Sequence, residues 1–394
     1  MDRAAAFAAV DADVGSRRDL LLDVAHDIWE HPELCYEEHY AHGVLTAALE
    51  GAGLEVERGA FGLDTAFRAT VGSGDGPTVA ICCEYDALPE IGHACGHNVI
   101  AAAGLGAGLA AASVAEALGG TVVVLGTPAE EGGGGKIHMI DRGALDGVDV
   151  AMMVHPADAE LDSFKAIAVH ELHCEYHGVA SHAAAAPEKG RNALDAAVAA
   201  YVNVAMLRQH IGIDERIHGI FTHGGDKPNV VPHRAAQAWY VRSGTRASLQ
   251  DLEPRFLACI EAAAEATGCT VEHRWVTPAY DDLVDIPALL DRYRQHQAGR
   301  GRIVEPAASR PSFMGSTDMG NVSHEVPSVH PMVRVAPDGV SIHTPDFAGF
   351  ARGPEGDAAV IDGAVALARL AVDVFTDPSL LTSARAEHRA AIRA

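Results

Sequence analysis

The chain has 394 residues, of which 48% are hydrophobic and 21% charged, and its formal net charge is −25. This length and hydrophobic content are typical of a soluble globular protein of two or three domains, not of a disordered chain. The acidic balance argues against nucleic acid or an anionic membrane as a partner, because such partners recruit excess Lys and Arg.

The first twenty residues contain no continuous apolar stretch, so neither a secretory signal nor a membrane anchor is expected there. The seven cysteines are odd in number and irregularly spaced, which favours reduced thiols over disulfides. Both observations predict a cytoplasmic protein.

As far as about Pro156, segments with helical periodicity alternate with short apolar runs. The runs are rich in β-branched residues, as buried parallel strands are. This order predicts an α/β fold with a mostly parallel sheet and helices on both faces. The predicted helices are 17–30, 40–52 and 100–118, and the predicted strands are 78–83, 121–125 and 148–154.

The pattern changes after residue 164, where strand-like segments carry polar residues at alternate positions. That alternation predicts a half-exposed antiparallel sheet. The segments predicted here are strands 166–176, 217–222, 236–242 and 270–275 and helices 192–209 and 248–267. Because the chain then returns to helices, short apolar strands and a closing helix at 358–375, we predict a first domain in two parts, 1–168 and 281–394, with an α+β domain, 169–280, inserted between them.

The densest polar motif follows the strand predicted at 78–83 and reads EYDALP at 84–89 and GHACGHN at 92–98. Cys95 and His97 lie two residues apart, so both side chains can reach a common centre. Glu130 and Glu131 follow the next predicted strand, and His155 follows the strand after that. Because open α/β sheets assemble their sites at the carboxyl ends of parallel strands, these clusters are expected to meet.

The expected chemistry is that of a metal site. If Cys95, His97, Glu131, His155 and His343 converge, one thiolate that bridges would let them hold two divalent ions. Mixed nitrogen, oxygen and sulfur donors suit Zn or Mn, with Co and Ni as alternatives. Two such ions polarise a carbonyl and lower the pKa of a bound water, which is a common route to amide hydrolysis. Glu130 is the candidate general base.

Simpler interpretations exist for each residue. A lone His or Cys is more often a packing or surface residue than a ligand, and Glu130 with Glu131 could form an exposed acidic turn before a glycine linker. The glycine run is followed by Lys136 and Ile137, which is not the Lys-Ser/Thr pair of a phosphate-binding loop. A Cys95 nucleophile assisted by His97 would leave the downstream Glu and His residues unused. A thiol hydrolase survives chelation and a metallohydrolase does not.

The ordered motifs resemble a known family. They are YDALP at 85–89, GHACGHN at 92–98, PAEE at 128–131, HP at 155–156, GSTDMGNVS at 315–323 and HTP at 343–345. This set resembles the dinuclear metallopeptidases related to aminoacylase, peptidase family M20, and is most similar to the branch of aminobenzoyl-glutamate hydrolase and β-alanyl-dipeptidase-like enzymes. The resemblance spans nearly the whole chain.

The resemblance implies roles for the site residues. Cys95 would be the bridging ligand, His97, Glu131, His155 and His343 the other ligands, and Glu130 the catalytic base. Many relatives carry a His-x-Asp ligand motif where this chain has EYD at 84–86, so Asp86 is expected to support the ligands from behind. Whether one or two ions are tightly held stays open.

The inserted domain resembles the lid and dimerisation domain of the family. GVASHAAAAP at 178–187 matches its signature, and in relatives the histidine at the position of His182 reaches the partner subunit's active site and helps hold the developing oxyanion. A homodimer through the lid is therefore implied. Asn229 and Arg242 resemble residues that bind a substrate carboxylate, although without the family each has an ordinary structural interpretation.

The predicted function is therefore that of a metal-dependent amidohydrolase, which cleaves the amide of an N-acyl amino acid, aminoacyl conjugate or dipeptide with a metal-bound water and Glu130. One alternative is a β-alanyl-type dipeptidase that acts on dipeptides with a basic residue. An alternative of another class is a non-catalytic binding module on the same fold, which would be favoured if a ligand or the base were missing. All of these residues are present.

Overall fold

The computed structural model describes residues 1–72, 74–310 and 314–393, and its contacts divide the chain into two compact units. Unit 1 consists of Met1–Lys165 and Leu283–Ala394, and unit 2 of Ala166–Asp282. The predicted fold class is confirmed, because a mainly parallel sheet with helices forms unit 1 and an α+β unit is inserted into it.

The helices and strands follow one another closely along the chain. The α-helices are Arg3–Ser16 (α1), Arg18–Glu30 (α2), His39–Gly51 (α3), His97–Leu118 (α4), Gly135–Ile140 (α5), Ala193–Leu207 (α6), Arg246–Thr267 (α7), Pro287–Ala298 (α8), Met319–Glu325 (α9), Pro345–Ala351 (α10), Pro354–Thr376 (α11) and Pro378–Ala391 (α12). The strands are Val56–Arg58 (β1), Phe67–Gly72 (β2), Thr78–Glu84 (β3), Thr121–Thr127 (β4), Val150–Met152 (β5), His155–Ala157 (β6), Lys165–Ala166 (β7), Ala168–His177 (β8), Arg216–His223 (β9), Arg234–Ser243 (β10), Thr270–Trp275 (β11), Met314–Gly315 (β12), Ser328–Val329 (β13) and Met332–Arg334 (β14).

The main sheet of unit 1 has the strand order β1-β2-β4-β3-β5-β13. Strands β4, β3, β5 and β13 are parallel, and β1 and β2 continue the sheet in antiparallel fashion. Every residue of β4 is buried, and so is all of β3 except Thr78, as expected for strands covered on both faces. Polar residues at the ends of these strands therefore emerge at one edge of a buried sheet.

Helix α4 packs tightly on this sheet and carries the motif histidine His97 at its first turn. A Cβ atom on Gly104 would lie 2.7 Å from the carbonyl oxygen of Cys82, and one on Gly108 would lie 2.5 Å from Cγ2 of Val124. Among the described residues, α4 is the one helix long and apolar enough to cross a membrane, and 89% of its most apolar stretch is buried, as in the core helix of a soluble protein.

Helix α1 was not predicted from the sequence. It buries Ala6, Val10 and Val14, which are spaced four residues apart and so form a single narrow row. Asp2 caps the helix by accepting a hydrogen bond from the backbone N–H of Ala5 at 2.8 Å. The remaining Ala-rich positions gave the row little contrast in hydropathy, which is why the segment lacked a clear helical pattern.

Unit 2 is built on an antiparallel sheet with the order β11-β8-β10-β9. Helices α6 and α7 cover one face, and fully buried Trp239 and Phe256 lie in the core between them, with ring centroids 5.6 Å apart. The other face carries polar residues at alternate positions, such as His173 and Glu175 of β8. The half-exposed sheet expected from the alternation is thus present.

Candidate active site

The candidate residues of unit 1 lie where neighbouring strands end. Glu84 is the last residue of β3, and Glu130 and Glu131 follow the end of β4 after a short turn. His155 begins β6, shortly after β5, and is paired in register with Met332 of β14. The sheet therefore delivers the polar segments of three strands to one edge, as the sequence predicted.

Two sets of side chains at this edge are close enough to share an ion. Cys95, His97 and His155 form one set, and Cys95, Glu131 and His343 form the other, with the potential ligand atoms of each set within 4.8 Å of one another. Cys95 belongs to both sets. The arrangement matches a pair of ion sites that share one thiolate.

Three contacts define the spacing of this cluster. The Sγ atom of Cys95 lies 3.4 Å from Nε2 of His155. Oε1 of Glu131 lies 3.8 Å from Nε2 of His97 and 3.5 Å from Nε2 of His343. His343 adopts a left-handed backbone conformation with φ of 63°, and its N–H donates to the carbonyl of Ala94 at 2.8 Å. Such strain in a non-glycine residue is common where a fold fixes a functional side chain.

The tautomers of both buried histidines fit cation binding. Nδ1 of His155 lies 2.7 Å from the carbonyl oxygen of Pro156, and Nδ1 of His97 lies 3.1 Å from Oδ1 of Asp86. Each Nδ1 then carries the proton and donates it, which leaves the Nε2 lone pair free for a ligand bond. Within the described ranges, Nε2 of His97 and Oε1 of Glu131 are buried without a hydrogen-bond partner. Buried polar atoms are rarely left so, and divalent ions would satisfy them.

Asp86 supports the cluster from behind. Besides His97, its carboxylate accepts a hydrogen bond from the backbone N–H of Glu131 at 2.9 Å and one from the thiol of Cys35 at 3.4 Å. Burial by itself would raise the pKa of Asp86, but the hydrogen bond and charge of His97 and the N–H of Glu131 hold that pKa at about 2. Asp86 thus stays ionised and fixes both a histidine and the turn that carries Glu131.

A buried ion cluster beneath these residues was missed from the sequence. Lys136 is 2% exposed, and its ammonium group bonds to the carboxylates of Glu84 and Asp318, the latter at 2.7 Å. The backbone N–H of Lys136 also donates to Asp318, at 3.0 Å. Oε1 of Glu84 lies 3.2 Å from Nε2 of His97, so the cluster adjoins the ligand set. A Lys directly after a glycine run, and a Glu that ends an apolar strand, were the available signals.

Glu130 lies beside the ligands and is 8% exposed. Burial raises its pKa well above the usual value, and the nearby charges of Glu84 and Glu131 act in the same direction. Cations held by the neighbouring ligands act in the opposite direction. The preceding Ala129 has a φ of 61°, and its N–H donates to Oε1 of the buried Glu38 at 2.9 Å. These contacts set the course of the turn that presents Glu130.

The cluster opens into a pocket of about 420 Å³ within unit 1. Ion-site residues form one wall, and Phe164, Met314, Met332 and Ile342 give the pocket an apolar side. Its acidic lining residues are Glu130, Glu131 and Asp158, and no Lys or Arg lines it in the part of the chain that the structure describes. The remaining lining residues are Cys95, His155, Gly315, Ser316, Thr317, His330, Ser341 and His343.

The other three predicted site residues lie in unit 2. His182 is exposed, and its Nδ1 accepts hydrogen bonds from the N–H groups of Ala184 and Ala185 at 3.2 and 3.1 Å. Asn229 is also exposed, and its carbonyl accepts from the N–H of Ala183 at 3.1 Å, so these two segments are neighbours. Arg242 lies on β10, half-buried, with its guanidinium 5.4 Å from the ring centroid of Tyr240.

Comparison with known proteins identifies the family. The model of peptidase family M20/M25/M40 matches residues 80–371. Over 378 residues the chain is 42% identical to the Xaa-Arg dipeptidase of Mus musculus, an alignment that covers 92% of this chain and 87% of that protein. It is 35% identical over 287 residues to one of the two p-aminobenzoyl-glutamate hydrolase polypeptides of Escherichia coli, covering 68% of this chain and 60% of that protein.

Solved structures agree in fold. An aminobenzoyl-glutamate utilization protein from Klebsiella pneumoniae superposes with a TM-score of 0.75 at 22% identity, covering 92% of this chain and 98% of that chain. A dinuclear metal-binding peptidase of the M20 family from Bacillus subtilis gives a TM-score of 0.69 at 20% identity, covering 92% and 99%. The chain therefore belongs to peptidase family M20/M25/M40, and it is a metal-dependent amidohydrolase.

Proposed function

We propose that this amidohydrolase is a dipeptidase whose substrates carry a cationic side chain on the residue at the carboxyl side of the scissile bond. The observation that carries the proposal is the acidic pocket, in which Glu130, Glu131 and Asp158 face no lining Lys or Arg within the described ranges. A cationic group is attracted to such a lining. The name of the mouse relative, Xaa-Arg dipeptidase, points to the same class of substrate.

A second candidate is hydrolysis of an N-acyl amino acid or an aminobenzoyl-glutamate type of conjugate. The 35% identity to the Escherichia coli hydrolase favours it. An acidic leaving group would need a cation to bind it, and Arg242 is the candidate for that task. The two proposals thus differ in the charge of the leaving amino acid.

We assign the ligand roles to Cys95, His97, Glu131, His155 and His343, with Cys95 shared by two ions. Bound divalent ions supply an electrophile for the amide carbonyl and lower the pKa of water. Glu130 takes the proton from the attacking water and returns it to the leaving amine. Asp86 keeps His97 in the ligating tautomer.

Zn or Mn is the proposed native metal, with Co and Ni as alternatives. The set combines one thiolate, one carboxylate and three imidazoles, and thiolate and imidazole suit Zn, whereas carboxylate also suits Mn. Metal supply in the cell contributes to the choice. Metal analysis of protein purified without added metal tests this assignment.

His182, Asn229 and Arg242 are proposed to act on substrate, His182 as a donor to the developing oxyanion and the other two as binding residues. Both hydrogen bonds at Nδ1 of His182 are accepted from backbone N–H groups. Its Nε2 therefore carries the ring proton and is the atom that would donate. This role rests on the family resemblance.

A homodimer through unit 2 is proposed from an uncovered apolar row. Val198, Val202 and Met206 are spaced four residues apart on α6 and are 48%, 51% and 58% exposed. Beside them β9 forms an edge of its sheet and exposes 41% of Phe221. An edge strand next to an apolar helix row suits pairing with a second copy of the chain.

A cytoplasmic location is also proposed. All seven cysteines are free thiols, two of them only half-buried, which suits a reducing compartment.

The substrate proposal is tested with a panel of substrates assayed with added Mn or Zn and with a chelated control. The panel contains Xaa-Arg and Xaa-Lys dipeptides, N-acetyl amino acids and aminobenzoyl-glutamate. Metal-dependent cleavage that is fastest for the cationic dipeptides supports the first proposal. Preference for aminobenzoyl-glutamate would instead establish the second, and no cleavage by metal-loaded protein would favour a non-catalytic module.

A further inference from the structure

His330 is a buried pocket residue to which the ligand cluster and the general base give no role. It follows β13 directly and is 1% exposed, yet it lines the 420 Å³ pocket. Neither of its ring nitrogens has a hydrogen-bond partner among the described residues. A polar group buried without a partner costs about 1–3 kcal/mol, so a ring kept in this state is expected to find its partner in the pocket.

Packing holds the His330 ring in place on two sides. It stacks on His155 with centroids 5.5 Å apart and planes at 29°, and it contacts Phe164 at 5.2 Å between centroids. Burial, followed by the charge of His155, lowers the pKa of His330 well below its usual value. The ring is therefore neutral, and it offers one donor and one acceptor nitrogen.

Asp158 lines the same pocket and is also incompletely paired. Its Oδ2 accepts a hydrogen bond from the N–H of Gly339 at 2.8 Å, whereas Oδ1 is buried without a partner. Arg310 interacts electrostatically with Asp158, but its guanidinium pairs with Asp338 at 2.5 Å. The pocket thus contains a carboxylate with an unused oxygen and an imidazole with an unused acceptor.

We propose that His330 and Asp158 form a subsite that binds the cationic nitrogen group of the substrate side chain. The inference rests on the proposed dipeptidase function and names the residues that select the cation. A guanidinium or ammonium group has several N–H donors and no acceptor, so it can satisfy the bare nitrogen of His330 and Oδ1 of Asp158 together. The apolar side of the pocket, with Phe164 and Met332, would contact the methylene groups of such a side chain.

The test compares an arginine dipeptide with its neutral isostere, in which citrulline replaces arginine, in the metal-loaded enzyme. Wild type is expected to prefer arginine in kcat/KM by at least about tenfold, because a hydrogen bond to a charged group contributes about 1.5–3 kcal/mol. His330→Phe keeps the stacked ring and removes both nitrogens. This variant and Asp158→Asn are expected to lose about tenfold with arginine, mainly in KM, and less than about twofold with citrulline.

Three controls separate a binding role from a structural one. His330→Gln retains a donor and an acceptor and should recover most of the discrimination. Metal content should be unchanged in all variants, which excludes an indirect effect on His155. His42→Phe removes a buried ring that lies on α3, outside the pocket lining, and whose Nε2 also lacks a partner among the described residues, and it should behave as wild type.

Two results would overturn the subsite. If His330→Phe slows arginine and citrulline dipeptides equally, or lowers metal content, the residue supports the ion site and does not read charge. If wild type cleaves other amides but neither dipeptide, the proposed function fails and the subsite fails with it. Wild type that prefers arginine while both variants keep that preference refutes the subsite alone.

Discussion

The two units hold their candidate residues in opposite environments. In unit 1, Cys95, His97 and Asp86 are at most 5% exposed and contact one another or a neighbouring ligand. In unit 2, His182 and Asn229 are exposed on loops. Buried polar groups need partners, so their orphaned atoms reveal a site, whereas exposed groups are satisfied by water and reveal nothing by themselves. Chemistry can be inferred from geometry in unit 1, but in unit 2 it needs an experiment.

The largest expected effect separates two adjacent residues of unit 1. Glu130→Gln should lower turnover by about 10²–10⁴-fold, because the proton acceptor is lost while every proposed ligand remains. Glu131→Gln should lower metal content as well. Steady-state kinetics combined with metal analysis distinguishes the two, and retained turnover in Glu130→Gln would refute the assigned base.

The next effect tests whether unit 2 contributes chemistry at all. His182→Ala should lower turnover by about 10²–10³-fold, as loss of an oxyanion donor does. If His182 serves the partner subunit, a mixture of His182→Ala and Glu130→Gln should regain activity, because one active site of the mixed dimer is intact. Val202→Glu in both chains should abolish this rescue and give a monomer by light scattering. Failure of the mixture to recover, with dimers present, would place His182 outside the reaction of the partner.

A smaller effect concerns the charges under the ion site. Lys136→Met leaves the buried carboxylates of Glu84 and Asp318 without their cation and should lower the free energy of unfolding by about 3–5 kcal/mol. Arg58→Ala removes the partner of Glu50 from a pair in which both side chains are more than 40% exposed, and its effect on that free energy should be far smaller because water screens the pair. Urea unfolding curves compare the two, and equal losses would contradict the difference in environment.

The smallest effect is a pH dependence at Glu38. Burial, assisted by the charge of Asp86, raises the pKa of this carboxyl from 4.5 to about 7 despite its hydrogen bond from Thr65. Between those values the folded state binds more protons than the unfolded state, so stability falls as pH rises, by up to about 3 kcal/mol.

Glu38→Gln removes this penalty. Its gain in unfolding free energy over wild type should therefore grow by about 2–3 kcal/mol between pH 5 and pH 8. Glu50→Gln changes an exposed carboxyl whose pKa is lowered by the hydrogen bond from Arg58, and it should show no such growth across that window. A gain for Glu38→Gln that is the same at both pH values would refute the assigned titration.

Strand-end positions explain what the sequence could and could not predict. The ligand cluster was predictable because Cys95, Glu131 and His155 follow apolar runs whose carboxyl ends meet at one sheet edge. His330 occupies the same kind of position after β13 and was overlooked, because a strand of two residues leaves hardly any apolar run to notice.

The pairing of Lys136 with Glu84 and Asp318 was not predictable, because its partners are 52 and 182 residues away in the chain. Helix bounds agreed within a few residues wherever apolar periodicity was strong, as in α2 and α7. In unit 2 the sheet was readable from alternating polarity. The roles of its exposed residues were not, because they depend on groups outside their own segment.

The glycines of α4 have a consequence for engineering. Replacing a helical Gly with Ala is a common way to raise heat resistance, and it contributes roughly 0.5–1 kcal/mol in an open helix. In α4 the added methyl of Gly104→Ala or Gly108→Ala would meet the sheet at 2.7 or 2.5 Å. The helix would have to shift, and His97 in its first turn would shift with it. A thermostability screen that selects on melting temperature should therefore leave α4 unchanged, and consensus design that ignores this would trade catalytic geometry for helix propensity.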